Sequence, residues 1–222
     1  MNIEATALTK KYGHISAVSD ISFSIAAGEF VGLVGPNGAG KSTTIKMLTG
    51  QLIPSAGCVN ICGVDMTKEP NVGRQELGYV PEFPELYNYL SAREMISFVA
   101  EIRGRGDVEW ALELTGLGDD ADRLIREYSQ GMRRKTAIAC AIVAKPKVLI
   151  LDEALNGLDP PSVERVLRAL DEVRKEGTSI VLSTHVLDTL EKLATRIIML
   201  KNGKIEHDCL PSELSIIRKQ FQ

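Results

Sequence analysis

Short apolar runs bounded by turn residues open the chain. Ile3–Leu8, Ile21–Ile25 and Phe30–Val34 predict strands, and Ala26, Ala27 and Gly28 predict a tight connection between the last two. Lys41–Thr49 predicts a helix closed by Gly50, a residue free to take the left-handed conformation of a helix C-terminus. Cys58–Ile61 and Leu77–Val80 predict further strands. The middle of the chain changes character. Ser91–Arg103 carries helical spacing, with Ser91 at the N-cap and Glu94 three residues on, the pattern of a capping box. Asp107–Thr115 and Ser129–Ala144 also predict helices, so Glu82–Lys145 reads as a mostly helical subdomain. The last third alternates: strand Val148–Leu151, helix Pro161–Lys175 with proline in its first turn, strand Ser179–Ser183, helix Val186–Leu193, strand Arg196–Leu200 and a closing helix Pro211–Arg218. Strands that are apolar throughout, alternating with helices, predict a parallel sheet covered on both faces.

Composition narrows the class. The 222 residues suit one domain with a subdomain, and 44% hydrophobic with 25% charged residues excludes a disordered chain, a collagen and a disulfide scaffold. Lys+Arg 26 against Asp+Glu 29 leaves a net charge of −3, which offers no basic field for nucleic acid. Cys58, Cys62, Cys140 and Cys209 are too sparse for a disulfide framework and lack zinc-finger spacing; they read as small apolar fillers in a reducing compartment. The opening MNIEATALTKKYG has no apolar segment of a signal peptide. The longest apolar run, Ala137–Ala144, falls far short of the ~18 residues of a membrane span. A membrane role would act through a partner.

The most informative segment is Gly35-Pro36-Asn37-Gly38-Ala39-Gly40-Lys41-Ser42. It fits the phosphate-loop pattern, between a predicted strand and a predicted helix, the setting that gives the pattern its meaning. Glycines let the main chain curl so that successive N–H groups point inward as an anion nest, and the helix N-terminus adds donors and partial positive charge. Lys41 offers a compact charge to β- and γ-phosphates, Ser42 a hydroxyl ligand for Mg²⁺, and Thr43 a further phosphate contact. A second signal is Val148-Leu149-Ile150-Leu151-Asp152-Glu153, a buried strand ending in two carboxylates. Ligands of open parallel sheets bind beyond the carboxyl ends of strands, so both signals point to one site. Asp152 would hold Mg²⁺ through water, and Glu153 would orient and deprotonate an attacking water. The residues alone reach a P-loop NTPase.

Over essentially its whole length the sequence also resembles an ATP-binding cassette (ABC) ATPase subunit. Tyr128-Ser129-Gln130-Gly131-Met132 stands where that family has Leu-Ser-Gly-Gly-Gln, with Ser129 and Gly131 matching. The resemblance implies an α/β P-loop NTPase fold with a mainly parallel core sheet, an N-terminal antiparallel β subdomain and a helical subdomain at about 82–145, all in a single domain over 1–222. It implies that Ser129, Gln130, Gly131 and Met132 face the γ-phosphate held by a second subunit. Tyr12 matches the residue that stacks on adenine. Asp159, in Asn156-Gly157-Leu158-Asp159-Pro160, matches the interfacial D-loop aspartate, with Ala154-Leu155 replacing the usual Pro-Thr. His185 matches the switch histidine that bonds the γ-phosphate. Glu82 takes the place of a Mg²⁺-sensing glutamine; a carboxylate also ligates Mg²⁺. This glutamate and the altered signature look like the exporter branch.

The implied activity is ATP + water → ADP + phosphate, with ATP and Mg²⁺ as cofactors. The implied partners are a second cassette, identical or not, and an integral membrane permease reached through the Glu82–Arg103 region; no nucleic acid is expected. The implied location is the cytoplasm, peripheral on the inner face of the cell membrane. A soluble cassette acting on ribosomes or DNA is the first alternative, but no tandem cassette or coiled-coil insertion is visible. A GTPase or small-molecule kinase lacks support because no Asn-Lys-x-Asp motif occurs. A binding-only cassette conflicts with intact Lys41, Asp152, Glu153 and His185, although the altered signature would suit a weak pocket in a heterodimer.

Overall fold

The computed structural model describes residues 1–214 and 218. Strands β1 (Ile3–Tyr12), β2 (Ile15–Ile25), β4 (Ala56–Ile61) and β5 (Val64–Asp65) form an antiparallel sheet in the order β2-β1-β4-β5. A second sheet has the order β10-β9-β3-β8-β7-β6, built from β3 (Phe30–Val34), β6 (Leu77–Val80), β7 (Val148–Asp152), β8 (Ser179–Ser183), β9 (Arg196–Lys201) and β10 (Lys204–Cys209). Its pairs are parallel except β9–β10. The connection at Ala26–Gly28 therefore passes the chain from one sheet to the other.

The parallel strands explain their own sequences. Along β7, Leu149 and Leu151 enter one apolar cluster while Val148 and Ile150 enter the other. Both faces are buried, so no polar residue interrupts the strand. One face packs with helix α1 (Lys41–Leu48) and the antiparallel sheet. The other face meets α6 (Pro160–Lys175), α7 (Leu187–Leu193) and the helices α3 (Ala92–Arg103), α4 (Val108–Thr115) and α5 (Gln130–Ile142). A one-turn helix, α2 (Pro70–Gly73), leads into β6.

The capping box at α3 forms as expected: Ser91 Oγ accepts from Glu94 N at 3.1 Å and Glu94 Oε2 accepts from Ser91 N at 2.8 Å. At the other end of α3, Arg103 donates to the carbonyls of Arg74 and Gln75, both at 2.8 Å, and of Leu77 at 2.9 Å. One guanidinium thus fastens the helical region to the base of β6.

Three expectations change. The first strand runs on to Tyr12 and the second begins at Ile15, joined through Gly13 and His14 in a tight hairpin. Strand β10 was not anticipated; it is an edge strand whose residues are all exposed or half-buried, so it carries no apolar run. The predicted helix Pro211–Arg218 begins as a single 3₁₀ turn at Pro211–Glu213; residues 215–217 lie outside the described residues.

Candidate active site

Strand β3 ends at Val34 and the chain curls through residues 35–40 before α1 begins at Lys41. Two glycines make the curl possible. Gly35 has φ +150° and a Cβ there would strike the Leu200 carbonyl; Gly40 has φ +104° and a Cβ would stand 2.6 Å from the Ala17 carbonyl. Gly40 is the N-cap of α1 and provides no side-chain cap, which leaves the first-turn amides of Lys41, Ser42 and Thr43 uncapped. A turn beside the loop braces it: Gly203 N donates to Ala39 O at 3.1 Å and Ser19 N donates to Gly203 O at 2.8 Å.

This loop lines a cavity of about 760 Å³. Residues 35–43 form its floor, with Ala17 on one side and Glu82, Glu153, Asn156 and His185 opposite. The phosphate loop and the end of β7 thus converge, as do Glu82 and His185. Lys41 Nζ donates to Gly35 O at 2.6 Å and Pro36 O at 3.2 Å. Burial pulls its pKa below the usual lysine value, and the carboxylates of Glu153, Asp152 and Glu82 oppose that shift.

The acidic strand end is tightly held. Asp152 is buried and its Oδ1 accepts from Ser183 Oγ at 2.5 Å. It stands behind Glu153 rather than on the cavity wall. Glu153 has φ +49°, a left-handed conformation that costs a residue with a side chain roughly 1–3 kcal/mol. Its amide is fixed there by Ser183 O at 3.1 Å and Ser183 Oγ at 3.0 Å. Glu153 Oε2 accepts from Asn156 Nδ2 at 2.9 Å and lies 3.1 Å from His185 Nδ1. Strain at the strand end thus turns the carboxylate toward the loop. Nearby, burial and the Asp152 charge push the Tyr79 phenol up to about 12.

Other predicted residues stand outside the cavity. Tyr12 ends β1, 49% exposed, with Lys10 Nζ 5.5 Å from its ring centroid. Ser129 is the N-cap of α5, accepting from Met132 N at 3.2 Å. Gln130 is exposed at the start of the helix, and a Cβ on Gly131 would approach Gly157 O at 3.8 Å. Met132 is half-buried, its apolar side chain packed against the helical core. Asp159 is the N-cap of α6, its carboxylate accepting from Ser162 Oγ at 2.6 Å and from Ser162 N at 3.2 Å. The Ser162 hydroxyl holds its pKa below the usual carboxylate range.

Two residues that shape the site were not singled out from sequence, Ser183 and Asn156. Ser183 is the polar end of an otherwise apolar strand, in register with Asp152 across β7 and β8. That coincidence of strand ends was its available signal. Asn156 lies in the turn after Glu153 and had no comparable mark.

A family model described as ABC transporter matches residues 18–156. The chain belongs to the ABC transporter family. The bacitracin transport ATP-binding protein BcrA of Enterococcus faecalis is 35% identical over 216 residues, 96% of this chain and 70% of that protein. The Nod factor export ATP-binding protein I of Paraburkholderia xenovorans is 36% identical over 218 residues, 96% of this chain and 72% of that protein. A dimeric ATP-binding cassette, in a post-hydrolysis state bound to ADP and Pi, matches with a TM-score of 0.86 at 25% identity, covering 94% of this chain and 98% of that one. The α/β cassette fold is thus shared, and the ABC chain described here is an ATP-binding ATPase.

Proposed function

We propose that this ABC ATPase powers an exporter, closing as a dimer on two ATP molecules and opening after hydrolysis. The observation that carries this reading is the convergence in one cavity of the phosphate loop with Glu153, held by Asn156 and His185. The relatives named for bacitracin transport and Nod factor export support the transport role.

In this reading the uncapped amides of α1 and the ammonium of Lys41 hold the triphosphate. Lys41 would exchange its carbonyl partners Gly35 and Pro36 for phosphate oxygens, a gain of charge-assisted bonds. The donor set near the loop suits Mg²⁺: the Ser42 hydroxyl and the Glu82 carboxylate line the cavity as hard oxygen ligands, and Asp152, set behind Glu153, would hold the ion through water. When bound, the ion supplies charge neutralisation on the transferring phosphoryl group. Glu153 orients a water and accepts its proton, while His185 bridges Glu153 to the γ-phosphate. Tyr12 stacks on adenine. Ser129 and Gly131 act on the nucleotide of the second cassette; Ser129 Oγ accepts from Met132 N, so its own proton is free to donate outward. Asp159 belongs to the dimer contact.

The membrane subunit would dock on the loop after Glu82 and on α3. Phe83 is 78% exposed and Tyr89 77%, with Tyr87, Phe98 and Ile102 also exposed, an apolar concentration suited to a partner. Its continuity with Glu82, which lines the cavity, supports that docking surface. No helix among the described residues is long and apolar enough to cross a membrane, so membrane placement in this reading comes from that partner, on the cytoplasmic side. The test is Glu153→Gln. ATP binding should persist, turnover should fall by about 10²-fold or more, and size-exclusion chromatography should show an ATP-dependent dimer. Turnover at the wild-type rate would remove Glu153 from its role.

A further inference from the structure

Arg134 lies in the first turns of α5, three residues beyond Gly131 and therefore on the same helix face. Its Nη2 donates to the main-chain carbonyl of Glu82 at 2.8 Å. Its Nη1 packs over Gly157, 3.5 Å from where a Cβ on that glycine would sit. One guanidinium on the signature helix thus reaches two further segments: the loop carrying Glu82 and the turn carrying Asn156.

The Glu82 contact is the informative one. Strand β6 ends at Val80, and residues 81–90 contain no helix or strand. No sheet ladder fixes Glu82, yet its carboxylate lines the cavity and acts on Lys41. The Arg134 bond supplies the missing anchor. The turn at Gly157 directly follows Asn156, whose amide holds Glu153. Both acids on the cavity wall are therefore one step away from the same arginine. Its Nε is buried without a hydrogen-bond partner among the described residues. An arginine kept only for stability would be expected to satisfy that donor.

We propose that Arg134 is a positioning residue for ATP hydrolysis, setting Glu82 and the Asn156–Gly157 turn in register with the signature end of α5. It does not line the cavity, so it acts on turnover and not on affinity. This inference rests on the ATPase reading of the cavity.

The test compares Arg134→Met, Arg134→Lys and the wild type as full chains. Steady-state ATPase kinetics, ATP affinity by calorimetry and thermal melting are measured for each. Methionine keeps most of the apolar stem and loses both contacts; lysine keeps one donor for the Glu82 carbonyl. For R134M, kcat should fall about tenfold with the ATP Kd within about twofold, the pattern of an interaction expressed only in the transition state. R134K should recover part of that loss, and both variants should melt within about 3 °C of wild type. R134M turning over like the wild type would overturn the proposal. So would a loss of affinity or melting temperature in step with turnover, or R134K no better than R134M. A wild-type chain without ATP turnover would bring down the ATPase reading itself, and this inference with it; wild-type turnover beside an unchanged R134M removes the inference alone.

Discussion

The carboxyl end of β7 and the amino end of α5 both present polar groups to the surroundings, yet they are built in opposite ways. At β7, two neighbouring strands end in register, Ser183 grips both Asp152 and the Glu153 amide, and a strained backbone aims the carboxylate. At α5, a single cap by Ser129 organises the turn and the next residues face outward or pack inward. The first is complete within one chain; the second, in the proposed dimer, would meet a nucleotide held by the other cassette. The phosphate loop and Asp152-Glu153 keep the family pattern, whereas Tyr128, Gln130 and Met132 depart from it, as do Glu82 and Ala154-Leu155. Groups locked by a ladder have one way to work, while a helix end binds anions through its main chain and tolerates altered side chains.

That contrast can be broken most decisively at Lys41. Lys41→Ala should abolish measurable nucleotide binding by calorimetry, because its ammonium is the lysine or arginine charge that lines the cavity among the described residues. Unchanged affinity would mean that the nucleotide is held mainly outside the β3–α1 loop. A smaller effect is expected at Asn156→Ala. Loss of the amide donor to Glu153 should lower kcat by about tenfold with little change in ATP Kd; an equal fall in affinity would show that Asn156 binds nucleotide directly. The smallest effect belongs to Tyr12, half-exposed beyond the cavity wall. Tyr12→Ala should weaken the ATP Kd several-fold, since stacking on a base is worth about 1–3 kcal/mol. No change would place adenine elsewhere.

What was legible in the sequence was whatever consecutive residues encode. The loop at 35–42 is a contiguous motif, and the apolar strands β3, β7 and β8 announce burial on two faces. Strand β10 escaped because an edge strand has no buried face to pattern. The extension of β1 to Tyr12 escaped because Lys10, Lys11 and Tyr12 are solvated and do not alternate in hydropathy. Ser183 and Arg134 meet their partners across distant segments, and no local period records such meetings; Asn156 bonds Glu153 only three residues away, but nothing in the residue pattern marks that bond.

The brace beneath the phosphate loop has a consequence for how the chain matures. Ala17 and Ser19 come from near its beginning, Leu200 and Gly203 from near its end, and all four meet around residues 35–40. The nest therefore takes shape only after segments nearly two hundred residues apart have found each other, the slow, non-local kind of closure. Nucleotide can stabilise the finished protein by mass action but has little hold on a half-made one, which makes ATP a late guardian of folding as well as a fuel.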